Sequence, residues 1–220
     1  MVFLHGYLSS KEAFTAQIKY FSRFYRVTAL DFLGFGQSAP LTEAFSVTDY
    51  ANWTREVLTL LHVKKPHVIA HSFGCRVAVK MAAMDEEAFD KILLTGPAGI
   101  VLKRGWRYHV KVKTYRLVKR FAPAYAELCF GSKEYRLLSP IMKESYKKIV
   151  NEDLRKDAER IKNSTLIVEG VGDKTTSLAE AKIYMQSLPN GRLQTMQGGH
   201  FAFAEYPLSF NLIAEEFLYD

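Results

Sequence analysis

Cysteine is nearly absent: Cys75 and Cys129 are the two in 220 residues, far apart and outside any C-x-x-C spacing. They offer neither a disulfide framework nor a thiolate metal site, and both read as reduced, packed thiols of a cytoplasmic protein. Long hydrophobic runs are missing too. None approaches the ~18 residues that a membrane-spanning helix needs. The opening stretch "MVFLHGYLSSKEAF" has neither the basic segment nor the apolar core of an export signal. No internal repeat or low-complexity tract occurs. His62, His67 and His109 form no metal-ligand pattern, and His67 and His71 are four apart across a strand and a turn, not on one helical face. The "GFG" of "DFLGFGQS" lacks the rest of a dinucleotide fingerprint. No metal and no cofactor are therefore expected.

What is present is ordinary globular composition, 48% hydrophobic and 24% charged, in a chain long enough for one substantial core. The net charge of +7 is unevenly placed. Between Val101 and Val150 thirteen Lys or Arg stand against three Glu, an excess of ten, so the rest of the chain is net negative. That shift marks the middle third as a separate structural unit. Its run "KRGWRYHVKVKTYRLVKRF" suits the solvated face of a helix, a collar for anionic substrates, or an amphipathic membrane-surface contact. No nucleic-acid motif accompanies the charge, so nucleic acid is not an expected partner.

Strand-like and helix-like segments alternate along the chain. "MVFLHG" reads as a strand, and "SSKEAFTAQIKYFSR" as a helix opened by Ser9 and Glu12 at capping-box spacing. "FYRVTALDF" is the next strand, followed by a Gly-rich turn and the helix "SVTDYANWTREVLTLLHV". "HVIA" leads into "GCRVAVKMAAM"; "KILLTGP", "TLIVEGVGD" and "RLQTMQGGH" supply three more strands, the last before the helix "SFNLIAEEFLYD". This pattern predicts an α/β fold with a mostly parallel sheet of about six strands flanked by helices. Residues 100–161 break the rhythm: Ser139-Pro140 caps a helix, and Leu154, Ala158 and Ile161 continue an apolar stripe. They are expected to form a helical cap inserted after the fourth strand, with 1–99 and 162–220 as the core.

Ligands of open parallel sheets bind at the carboxyl ends of the strands, which makes the residues after each run the informative ones. They are His5-Gly6-Tyr7, Asp31, His71-Ser72-Phe73, Asp173 and His200. The stretch "HVIAHSFGCRVAVK" would break from strand to helix at Ser72, with Gly74 permitting the turn. Serine, acid and histidine thus occur in the chain order of one hydrolase class. Asp31 reads as a turn-forming acid beside the pocket, and His5 as a brace for the loop after the first strand.

With "LHG", "DFLGFGQS", "AHSFG", "LIVEGVGD" and "GGHFAFAEYP" in order, the sequence resembles the α/β-hydrolase family over essentially its whole length. The resemblance implies Ser72 as nucleophile, His200 as general base, Asp173 as its orienting acid, and the backbone N–H groups of Tyr7 and Phe73 as oxyanion hole. It implies a serine hydrolase acting on a small-molecule ester or related acyl bond, with the basic cap favouring an anionic substrate. Carbon–carbon bond hydrolysis and thioester hydrolysis are compatible with the same residues. A noncatalytic ligand-binding or receptor-like member of the fold is the alternative from another class. Relatives of this kind carry two strands before the "LHG" strand, so the "RVTAL" strand is expected at a sheet edge, where it would favour self-association as a homodimer.

Overall fold

The computed structural model describes residues 1–102, 120 and 133–220. Cys129, His109, most of the basic run and the first part of the expected cap lie outside the described residues. Six short strands build one sheet: β1 (Val2–Leu4), β2 (Thr28–Leu30), β3 (Val68–His71), β4 (Ile92–Thr95), β5 (Thr165–Gly170) and β6 (Gly191–Met196). Their order is β2-β1-β3-β4-β5-β6, and every pairing is parallel. The "RVTAL" strand, β2, does take an edge. β1, β3, β4 and β5 are buried along their whole length, which is why their sequences are continuous apolar runs without alternation.

Helices cover both faces. α1 (Thr15–Phe21) and the C-terminal α9 (Pro207–Tyr219) pack on one side, where Phe3, Ile69, Leu93 and Val168 meet Phe14, Phe21, Phe210 and Phe217. α2 (Val47–Leu60), α3 (Phe73–Met84) and α7 (Leu178–Ser187) cover the other, against Leu4, Ala70, Leu94 and Ile167. Between β4 and β5 the described residues form α4 (Lys133–Leu137), α5 (Pro140–Val150) and α6 (Arg155–Ala158). A short α8 (Ala202–Glu205) precedes α9.

Local sequence explains most helix starts. Ser139 Oγ accepts the Met142 N–H at 3.2 Å with Pro140 in the first turn, the cap and proline expected there. Leu154, Ala158 and Ile161 are fully buried and join the core. The expected Ser9–Glu12 box does not form. The Ser9 N–H donates instead to Gly6 O at 3.3 Å, the Lys11 N–H goes to Asp31 Oδ1 at 2.7 Å, and the chain enters α1 through a 3-10 turn, Lys11–Phe14, preceded by Ser10 without a side-chain cap. Capping boxes occur at Ser46 with Asp49 and Ser177 with Glu180.

The chain runs from β1 outward to β2 and then crosses to β3 on the other side of β1. The strand order reverses at this pair, so a crevice opens beyond the carboxyl ends of β1 and β3. The segments that leave those ends are His5-Gly6-Tyr7 and Ser72.

Candidate active site

Ser72 sits at the junction of β3 and α3 with φ 50° and ψ −107°. This conformation is sparsely populated for a residue with a Cβ and is held only where surroundings over-determine it. Here Ser72 N–H donates to Thr95 O at 3.1 Å, and Ser72 O accepts from Cys75 N–H at 3.1 Å. The positive φ falls on the serine, and Gly74 permits the turn sterically. A Cβ on Gly74 would lie 2.2 Å from Leu4 O, so the glycine lets α3 pack directly onto the end of β1.

Two loops from distant strands converge on this serine. His200 Nε2 lies 3.0 Å from Ser72 Oγ, and His200 Nδ1 lies 2.6 Å from Asp173 Oδ2. With Nδ1–H donating to the carboxylate, Nε2 is left to accept the serine proton. Asp173 follows β5 and His200 follows β6; Gly170 brings the two loops together, since a Cβ there would meet Gly199 O at 2.3 Å. The Asp173 carboxylate is fully engaged. Oδ1 accepts from Thr175 N–H at 2.6 Å and Thr176 N–H at 3.0 Å, and Oδ2 also accepts from Thr176 Oγ1 at 2.9 Å. Burial pushes the Asp173 carboxyl up, but donation from His200 and these groups outweighs it and holds the carboxyl at about 2.

Of the two expected oxyanion donors, Phe73 follows the serine directly, and Tyr7 follows Gly6, where a Cβ would lie 3.5 Å from Ser72 Cβ. Phe73 is the first residue of α3, so its N–H has no acceptor within the helix, and neither it nor the Tyr7 N–H donates to an acceptor among the described residues. The loop carrying Tyr7 is braced by His5, as expected: Nδ1–H donates to Gly6 O at 2.7 Å, while Nε2 accepts Phe32 N–H at 3.1 Å. Burial lowers the His5 pKa, which keeps this neutral tautomer. Asp31 plays the turn role assigned to it, accepting from Lys11 Nζ at 2.7 Å and Gln37 N–H at 3.0 Å. It does not reach the serine–histidine pair.

Two residues near this constellation were not singled out as functional from the sequence. His71 ends β3, and its Nε2–H donates to His200 O at 2.9 Å with the two rings 4.7 Å apart. Burial, reinforced by His200, lowers its pKa to about 3, so it braces His200 as a neutral ring. Glu169, in the apolar run of β5, is fully buried; no donor among the described residues reaches its carboxyl oxygens, and in its protonated form it hydrogen-bonds Asp173. Burial first, and the nearby Asp173 carboxylate second, raise its pKa to about 8; at pH 7 it is a neutral acid. A charged residue inside the run "TLIVEG" was the available signal.

Glu169 makes stability depend on pH. Its pKa rises on folding from an ordinary 4.5, so folding is unopposed below that value and is progressively opposed as pH rises towards about 8. Glu169→Gln, an uncharged isostere, should melt like the parent at pH 4. The variant should gain stability as pH rises, by about 3 kcal/mol at pH 7, and the gain should level off above pH 8. Thermal melts of both proteins across that range check this, and a gain independent of pH would contradict it.

A cavity of about 270 Å³ opens at Ser72, bordered among the described residues by Ile100, Leu102 and Val150, by Thr175 and Thr176, and by Arg76 and Glu180. No cluster of metal-ligating side chains occurs among the described residues, and no helix among them is long and apolar enough to cross a membrane. Cys75 is buried, with its thiol donating to Ala70 O at 3.1 Å, and burial pushes the thiol pKa up.

Comparison with known proteins places the chain. It is 28% identical over 143 residues to the Arabidopsis thaliana protein named probable lysophospholipase BODYGUARD 1, a match covering 60% of this chain and 29% of that one. The chain spans about a quarter of the length of the plant relatives it matches. It is 26% identical over 219 residues to 2-hydroxymuconate semialdehyde hydrolase of Pseudomonas putida, covering 88% of this chain and 76% of that enzyme. The crystal structure of the enol-lactonase from Burkholderia xenovorans LB400 superposes with a TM-score of 0.78 at 19% identity, covering 100% of this chain and 90% of that one. Residues 1–128, more than half of the chain, match the family described as alpha/beta hydrolase fold. With the all-parallel sheet, the strained serine turn and the loops converging on it, this shows that the chain belongs to the alpha/beta hydrolase fold family.

Proposed function

We propose that the protein is a serine hydrolase that cleaves an ester or related acyl bond through an acyl-enzyme, with residues 100–161 as a cap over the pocket. The observation that supports this most is the hydrogen-bonded line Ser72 Oγ, His200, Asp173, at 3.0 and 2.6 Å, on the strained turn beside an uncommitted helix N–H. Ser72 attacks the acyl carbon as its proton passes to His200 Nε2. Asp173, ionised throughout the neutral range, stabilises the imidazolium that forms. The Tyr7 and Phe73 N–H groups take the oxyanion, a contribution of about 3 kcal/mol per donor in comparable sites. His200 then protonates the leaving group, and water repeats the sequence to release the acid.

Hydrolysis of a carbon–carbon bond uses the same atoms and is favoured by the similarity to the Pseudomonas putida hydrolase over 88% of this chain. A noncatalytic receptor would share the geometry and lack turnover. Mixing the protein with p-nitrophenyl acyl esters should give a burst of nitrophenol matching the enzyme concentration, and trapped protein should carry the acyl mass on Ser72. Turnover of vinylogous diketones without that adduct would favour the carbon–carbon reading. Background rates on both substrates by a folded protein would favour the receptor.

A further inference from the structure

Arg76 is the fourth residue of α3, one helical turn beyond Ser72, and it borders the cavity that opens at that serine. Only 7% of it is exposed. Arginine is rarely so buried without a carboxylate, because removing the charge from water costs several kcal/mol that an ion pair ordinarily offsets. Arg76 has no such partner among the described residues. Its Nη1 donates to Ile149 O at 2.9 Å, in the last turn of α5, and to Glu152 O at 2.8 Å just beyond it, while Nε and Nη2 make no hydrogen bond to the described residues. Burial accordingly pulls its pKa down, against the raising effect of Tyr184, Glu152 and Asp153.

The nearby acids among the described residues have other partners. Glu152 pairs with Lys80 at 2.8 Å. Asp153 is held by Arg155 at 2.6 Å and accepts the Val101 N–H at 3.0 Å. Glu180, which also borders the cavity, turns Oε2 into its capping box, accepting from Ser177 N–H at 2.7 Å and Ser177 Oγ at 2.8 Å. Nε–H and one Nη2–H project from the same edge of a guanidinium, and that pair is the fork a carboxylate takes bidentately. The tie from Nη1 to α5 fixes the plane of the group without using this edge.

We infer that Arg76 is a specificity-determining residue that receives a carboxylate on the substrate, a few bonds from the scissile carbonyl. The inference rests on the acyl-transfer reading for its substrate and deepens it: the preferred substrate carries a short carboxyalkyl arm. The cavity's small volume and the apolar walls of Ile100, Leu102 and Val150 suit such an arm. The assignment is independent of the basic run at 103–121.

The test compares p-nitrophenyl hemiesters of succinate, glutarate and adipate with their methyl-capped neutral counterparts, plus a phosphate-bearing ester of matched length. The parent protein should favour the best hemiester over its capped partner at least tenfold in kcat/KM, and over the phosphate ester. Arg76→Gln should remove that ratio, and Arg76→Lys should keep part of it. A general loss of folding moves both members of a pair together and leaves the ratio intact. No preference in the parent, an equal loss on both esters, or preference for phosphate would overturn the assignment. A calorimetric titration of the Ser72→Ala protein with monomethyl glutarate reads the anion site without catalysis. Binding that Arg76→Gln weakens tenfold or more, in a protein whose parent turns over no ester, would keep Arg76 and overturn acyl transfer. Absence of binding would overturn Arg76.

Discussion

Ester turnover by the Ser72→Ala variant should fall by roughly six orders of magnitude, the loss seen when the nucleophile of a serine–histidine–acid site is removed. The variant should remain folded, because the Ser72 side chain does not cap α3, and alanine holds the same φ of 50° with the same Cβ. The loss has a simple origin: His200 Nε2, 3.0 Å from Oγ, has no proton to accept and the carbonyl has no attacking oxygen. A serine-reactive organophosphorus probe should label the parent at Ser72 and leave the variant unlabelled. Retained turnover above a thousandth of the parent rate, or labelling at another serine, would remove Ser72 from the nucleophile's role.

Asp173→Asn should cost about four orders of magnitude in kcat. An amide at that position can donate to His200 Nδ1, which favours the tautomer carrying its proton on Nε2; the ring could then no longer take the proton of Ser72. The hydrogen bonds from Thr175 and Thr176 to Oδ1 can survive at the amide oxygen, so the loop should persist and the protein should stay folded at neutral pH. The same carboxyl adds a pH signature. Its pKa is depressed from an ordinary 3.8 to about 2, so the stability it contributes is present above pH 4 and disappears as pH falls towards 2. Asp31→Asn should do the converse, lowering the melting temperature by breaking its links to Lys11 and Gln37 while leaving kcat nearly unchanged. A larger kcat loss for Asp31→Asn than for Asp173→Asn, both folded, would reverse the assignment of the acid.

The strand runs around "VIAH", "ILLT" and "TLIVEG" were legible because a strand buried on both faces must be apolar throughout, and each was closed by Gly, Ser or a charged residue. The Ser139-Pro140 start was legible for an equally local reason, the cap and its N–H lying three residues apart. The Ser9–Glu12 box was not, because Gly6 O takes the Ser9 N–H and the helical turn begins at Lys11, held by Asp31 from a loop twenty residues on. That Gly74 permits the turn was legible, but not why: the carbonyl it must clear belongs to Leu4, on another strand.

From sequence alone came the six-strand α/β plan and the order of serine, acid and histidine at strand ends, since hydrophobic runs and turn residues act over a few neighbouring positions. Tertiary structure alone decided which groups are charged and what they face. Glu169 and Arg76 look in sequence like ordinary charged residues of a strand and a helix. Only the packed fold buries one carboxyl against Asp173 with no donor among the described residues, and leaves one guanidinium with an edge free of them on the cavity that opens at Ser72. Protonation and ion pairing follow from burial and from partners tens of residues away, and neither is encoded in a local pattern.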